Sequence, residues 1–390
     1  MALAFAAYVS LGLPDGLQGV AWPSIRRDFS LGHDSFGALM IAFTAGYLAS
    51  SFFGGRLMAR FRLGALLTAS TLSAALALLG YSAAPVWGFV VAAAVAAGLG
   101  GGGIDVTLNS YVASRHGDAL MQWLHASYGI GATLGPVIMT AALGRTGSWR
   151  PGYLMVGLLE LALAAAFLLT GSMWEHRGAA VPPRRSAPAR GRHGTMRAAL
   201  RSPKVWLSVS LFFLYMGIEV AFGAWSYTLL AESRGVRTQL AGYWVGSFWG
   251  IFTAGRIAAG FYTARIGRLR LVPGGLTAAL AAAVVLALDL GDAASLAALT
   301  VIGLAIAPIL PALLSGTADR VGPALAADTI GMQIAAMGAG GAVIPSLCGI
   351  LARRLSLEAI PAFMILLMGA LLLLDRHSVR GSRPGRPPGG

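Results

Sequence analysis

The sequence predicts an all-α integral membrane protein, with twelve transmembrane helices in two pseudo-symmetric six-helix bundles. Three observations carry that expectation. Of the 390 residues, 56% are hydrophobic and 11% charged, whereas a soluble domain carries about 25% charge to cover its surface. The apolar residues run on for about 20 positions at a time and do not alternate, which suits bilayer-crossing helices and not barrel strands. The third is an internal repeat, in which Gly37, Phe43, Gly55, Arg60 and Arg115 recur as Gly242, Phe248, Gly260, Arg265 and Arg320 at an offset of 205.

Composition narrows the class further. The 53 glycines, with many alanines, suit close helix packing in lipid. A formal charge of +14 raises nucleic acid as a partner, but the cations sit in short gaps between apolar runs, which argues against it. One cysteine, Cys348, excludes an internal disulfide and a cysteine metal cluster. No catalytic triad, zinc pair or nucleotide loop is present, so no cofactor is expected.

Twelve apolar windows can be taken in order, at 3–25, 34–55, 64–83, 86–113, 120–143, 152–174, 205–231, 239–262, 271–290, 294–316, 324–350 and 357–374. The first lacks a basic lead and a clear cleavage site, so it reads as a retained span and not a signal peptide. Pro14 and Gly16 loosen it. In the fourth, the apolar stretch Val86–Leu99 continues into the glycine run Gly100–Gly103, with Gly98 and Gly102 spaced for close backbone approach. The eleventh has a matching run, Gly338–Gly341. Both runs lack the Lys-Ser/Thr of a phosphate loop and read as packing surfaces and hinges.

The polar gaps give the domains: residues 1–174 as the first six-helix bundle, 175–203 as a basic cytoplasmic linker, 204–376 as the second bundle and 377–390 as a disordered basic tail. Linker and tail are too rich in Pro, Gly and Arg to bury a core. Twenty basic residues fall on the side of the linker and eight on the other. The positive-inside rule therefore places both termini in the cytoplasm. An even number of spans between repeats makes the two halves parallel copies about an axis along the membrane normal. Abundant Ala, Gly and Arg beside few lysines point to a bacterial inner membrane.

Ionisable groups within the spans are the first candidates for chemistry, since in hydrocarbon they are expensive and face a protein interior or wet cavity. Asp105 and Asn109 share one face of the fourth span. Asp105 reads as a proton carrier, because burial and exposure in turn shift a carboxyl between its neutral and ionised forms; the alternative is a structural acid capped by Asn109. Glu219 reads as a substrate contact, a coupling acid or a partner for Arg256. Asp15, Gln18 and Trp22 share a face of the first span, a polar and aromatic surface of the kind a sugar needs; Trp22 also fits an interfacial anchor. Gln122, His125 and Tyr128 form a third such face, with His125 a relay, a donor or a satisfied core group. In the second half, Gln333 is the main polar candidate, and Trp225 and Trp249 are stacking candidates against a packing alternative.

Twelve spans in a six-plus-six repeat with a central basic loop resemble the major facilitator superfamily. Its cytoplasmic signature resembles Gly55…Arg60-Phe61-Arg62 and the repeat Gly260…Arg265…Arg268, with Ala59 where the acid is usual. Asp105-Val-Thr-Leu-Asn109, Trp123–Ala132 and Tyr215–Trp225 resemble the sugar-permease branch, the fucose permease type and its glucose-transporting relatives. In span one that type carries its acid at the place of Gly19, and Asp15 lies a turn earlier. The resemblance implies a monomeric, proton- or sodium-coupled carrier of a monosaccharide or other small polar solute. Asp105, Glu219 and Asp15 would be its coupling acids. The alternative is a proton-coupled drug or metabolite efflux antiporter, to which Gly131-x-x-x-Gly135-Pro136 has a partial likeness, lacking the glycines where Met139 and Thr140 stand.

Overall fold

The computed structural model describes residues 1–115, 118–174 and 196–380, and all regular structure there is helical. In chain order the helices are α1 Ala2–Asp28, α2 Phe36–Arg60, α3 Leu63–Ala83, α4 Trp87–Arg115, α5 Asp118–Thr146, α6 Arg150–Leu169 and the short α7 Gly171–Trp174. After them come α8 Met196–Arg201, α9 Pro203–Thr228, α10 Thr238–Ile266, α11 Arg268–Ala287, α12 Asp292–Ile306, α13 Ile309–Ser315, α14 Thr317–Val321, α15 Pro323–Arg354 and α16 Ala359–Arg380. Most of the expected linker, 175–195, and most of the tail, 381–390, lie outside the described residues.

Among the described residues, ten segments are long and apolar enough to cross a membrane. The two remaining long helices, α1 and α10, have 27 and 29 residues. Their polar residues, Asp15 and Gln18 in α1 and Gln239 and Arg256 in α10, lower their hydropathy without shortening them. The tenth expected span is not continuous: it breaks between Ile306 and Ile309, where Pro308 has no N–H to give the ladder. At the end of α9 the helix widens into a π turn, Leu229–Ser233.

Among the described residues the chain packs as two compact units, one drawn from 1–187, 221–253 and 345–357 and the other from 188–220, 254–344 and 358–390. In the first, α1 packs on α5, α2 on α4, and α3 on α4 and α6. Glycine makes these approaches possible. Gly131 faces the Val9 carbonyl and Gly98 the Phe43 carbonyl with no room for a side chain. In the second unit α11 packs on α12 and α16, and Gly340 of α15 faces the Phe213 carbonyl of α9.

Candidate functional site

In the first unit Asp105 is the centre of a hydrogen-bonded cluster drawn from three helices. Its Oδ1 accepts from Tyr8 Oη of α1 at 2.7 Å and from Asn109 Nδ2 at 2.9 Å. Its Oδ2 accepts from Tyr47 Oη of α2 at 2.6 Å. All three donors are neutral. The close packing of α4 on α2, set by Gly98 and Gly102, brings Tyr47 within reach. Asn109 keeps a buried Oδ1 with no partner among the described residues.

Asp15 lies two turns beyond Tyr8 on α1, where its Oδ2 accepts from Tyr128 Oη of α5 at 2.6 Å. Gly12 and Gly16, which lie flush against α5, set that distance. His125 is exposed and meets the Tyr8 ring edge-on, with centroids 5.3 Å apart. All three expected faces are therefore joined: Tyr8 links Asp105 to His125, and Tyr128 links Asp15 to the same helix. The side chain of Gln122 lies outside the described set.

Gln18 and Trp22 are both buried. Trp22 packs against Phe36 and Trp87, with centroids at 5.1 and 5.9 Å, and its indole N–H has no partner among the described residues. Trp225 gives its N–H to the Pro345 carbonyl at 2.9 Å and meets Phe36 edge-on at 5.5 Å. Trp249 lies against Gly223 and packs on Phe248 and Phe252. Ion pairs at this end of the unit join Arg26 to Glu232 at 2.9 Å and Asp34 to Arg353 at 2.7 Å.

In the second unit Glu219 is buried and pairs with Arg256 at 3.4 Å. The break at Pro308 frees carbonyls that these elements cap: Tyr215 Oη donates to Ile306 at 3.0 Å and Arg256 Nε to Ala307 at 3.4 Å. Gln333 is fully buried, and its amide nitrogen donates to Ser208 Oγ at 2.8 Å and Thr317 Oγ1 at 3.1 Å. Of the residues in the repeated Gly-Arg signature, Arg268 pairs with Asp319 at 2.9 Å. Gly55, Arg60, Arg62, Gly260 and Arg265 are exposed.

Three functional-looking groups escape the spacing argument. Tyr8 and Tyr47 belong to apolar spans, and the signal for them is that a buried phenol needs a partner. Glu160 of α6 is 1% exposed and its Oε2 has no partner among the described residues; an acid within an apolar run was the signal there.

The Major Facilitator Superfamily model matches residues 4–345. Bypass of stop codon protein 6 of Saccharomyces cerevisiae is 24% identical, across 94% of this chain and 80% of its own length. Sodium-dependent glucose transporter 1A of Mus musculus is 22% identical, across 66% of this chain and 67% of its own. The crystal structure of the nucleoside transporter NupG shares the fold with a TM-score of 0.80 at 12% identity, over 96% of this chain and 98% of that one.

Proposed function

The chain belongs to the Major Facilitator Superfamily, so it is a multi-pass membrane transporter and not an enzyme, and from that premise we propose that it moves a monosaccharide or similar small polar solute by proton-coupled alternating access. The observation that carries the reading is Asp105, an intramembrane carboxylate held by three neutral donors. A carboxyl in an ion pair cannot take a proton without stranding the cation. One held by hydroxyls and an amide can, because the hydroxyls turn from donor to acceptor as the proton arrives. The cost of burying the charged form then differs between the two access states, and that difference couples the ion to the switch.

Asp15 on Tyr128 is the second coupling group in this scheme; Glu219, whose protonation would strand Arg256, serves instead as a substrate contact or as the partner of that cation. Gln18, Asn109, His125, Tyr128 and the indoles Trp22, Trp225 and Trp249 supply the amides, hydroxyls and rings from which a sugar site is built; Gln122 belongs to the same set, whereas Gln333, bonded to Ser208 and Thr317 within the second unit, ties α15 to α9 and α14. A relative named for sodium-dependent glucose transport supports the solute class and makes sodium the rival ion. The count of basic residues supports cytoplasmic termini, with Gly55, Arg60, Arg62, Gly260, Arg265 and Arg268 as gating residues at that face. Placement in a bacterial inner membrane, and a monomeric state, rest on sequence alone.

The test is reconstitution in liposomes with an imposed proton or sodium gradient and a panel of labelled hexoses. We expect proton-driven accumulation of one hexose. Asp105→Asn should abolish accumulation and leave equilibrium counterflow intact. Sodium-driven uptake would replace the ion, and dye extrusion without sugar flux would replace the function with efflux.

A further inference from the structure

At one end of the first unit, the last turn of α1, the single 3-10 turn His33–Ser35, the π turn Leu229–Ser233 and the last turn of α15 come together. His33 sits among them, between the first two expected spans, with its side chain 17% exposed. Its ring centroid is 6.0 Å from that of Trp225. Gly349 of α15 lies flush against its carbonyl, with no room for a side chain. The segments around it come from both halves of the sequence, so parting the halves at this seam puts the ring in water.

The closed seam is a poor place for a second proton on this ring. Nε2 stands 3.8 Å from Glu232 Oε2, beyond hydrogen-bond length. Arg26 Nη2 already holds both oxygens of that carboxylate, at 2.9 and 3.1 Å. Nδ1 of His33 and Oδ1 of Asp34 are both buried without a partner among the described residues, so the two do not meet. The charges that act on the ring are those of Arg26, Glu232 and Asp34. Asp34 is engaged by Arg353 of α15 at 2.7 Å. Other groups on the packed elements are turned elsewhere: Arg27 to the Ser24 hydroxyl and the Pro23 carbonyl, Asp28 to the Trp149 indole, and Tyr227 toward Arg27 and Glu232. Burial and the Arg26 guanidinium hold the pKa of His33 below the ordinary histidine value, and the two carboxylates offset only part of that. The imidazole is therefore neutral at pH 7 while the seam is closed.

We infer that His33 is a proton site on this seam and that loading it opens the seam. The sign follows from linkage. A ring that binds protons less tightly in the closed seam than in water favours, with each proton bound, the state in which it is wet. The proton comes from water onto the lone pair of one ring nitrogen, and no other bond changes. The imidazolium then stands desolvated beside the Arg26 guanidinium, and opening the seam relieves both costs. Acid on this face would thus bias the carrier toward opening there. The inference rests on alternating access alone and uses neither the solute nor the coupling acids. Its test needs no gradient, so it can fail while the proton-coupled reading stands, and the reverse.

The experiment uses the full chain in nanodiscs, carrying Cys348→Ser and a reporter, Ser24→Cys, at a position that is 8% exposed. Labelling by a membrane-impermeant maleimide is timed from about pH 8 to about pH 5. Each rate is divided by that of the unfolded chain at the same pH, which removes the titration of the thiol itself. The normalised rate should rise several-fold as the pH falls. His33→Gln, neutral throughout, should label slowly across the whole range. His33→Lys, charged throughout, should label fast at every pH, and it carries the test alone should the glutamine variant fail to fold. A flat profile in the parent, a pH response that survives in His33→Gln, or a His33→Lys protein as slow as the parent at about pH 8 would each overturn the inference. The second of these outcomes would move the titrating group to a carboxylate of the same cluster.

Discussion

The hydroxyl of Tyr47 is a group whose loss can be priced. It makes the 2.6 Å bond to Asp105, and a hydrogen bond to a charged group is worth about 1.5–3 kcal/mol. Tyr47→Phe keeps the ring and removes that bond. Proton-driven accumulation should fall about ten- to hundredfold, while counterflow, which needs no net proton movement, stays near the parent rate. Glu160 should behave in the opposite way. Its Oε2 has no partner among the described residues, so Glu160→Gln removes no hydrogen bond of that atom and abolishes the cost of a buried charge. Its Tm should hold or rise; a fall of several degrees would mean that the carboxylate's bond with Ser10 outweighs the cost of the buried charge. The pairing of Asp105 with Asn109 was legible in the sequence, because one turn of helix joins them. Tyr8 and Tyr47 were not, because they lie on other helices and helical periodicity says nothing about which helix comes next to which.

The helices themselves were legible in hydropathy, and the repeat is legible again in packing. Gly131 of α5 faces the Val9 carbonyl of α1, and Gly340 of α15 faces the Phe213 carbonyl of α9. The glycines are 209 positions apart and the carbonyls 204, so each half uses the same close crossing in its own unit. A methyl group at either glycine meets backbone, which cannot swing aside as a side chain would. Gly131→Ala and Gly340→Ala should each cost about 1–3 kcal/mol, measurable as a lower Tm in detergent, and a surface change such as Gly260→Ala, which has open space, should cost far less. The break at Pro308 and the π turn at Leu229–Ser233 were not legible from apolar windows. A window averages hydropathy and is blind to a missing N–H. What the break does becomes clear only from Tyr215 and Arg256, which cap the carbonyls it frees.

At the scale of the molecule, the first compact unit takes in pieces from both sequence halves, residues 221–253 and 345–357 together with 1–187. Charge joins them at one end: Arg26 to Glu232, with His33 3.8 Å from the same carboxylate, and Asp34 to Arg353. Partly exposed pairs of this kind are worth about 0–1 kcal/mol each, too little to hold a fold but enough to bias a transporter between states of nearly equal energy. A shift of about 1 kcal/mol changes a two-state ratio about fivefold. Glu232→Arg and Arg26→Glu each put like charges face to face, and the double variant restores the pair with its polarity reversed. With Cys348→Ser as background and a reporter thiol in place of buried Ser24, labelling by a membrane-impermeant maleimide should rise about fivefold in each single variant and return toward the parent rate in the double. Salt should raise the parent rate in the same direction, since it screens pairs that water can reach. Equal labelling in all four proteins would show that the ion pairs decorate the seam, and that Trp22, Phe36 and Trp225, whose rings pack beneath them, hold it by burial alone.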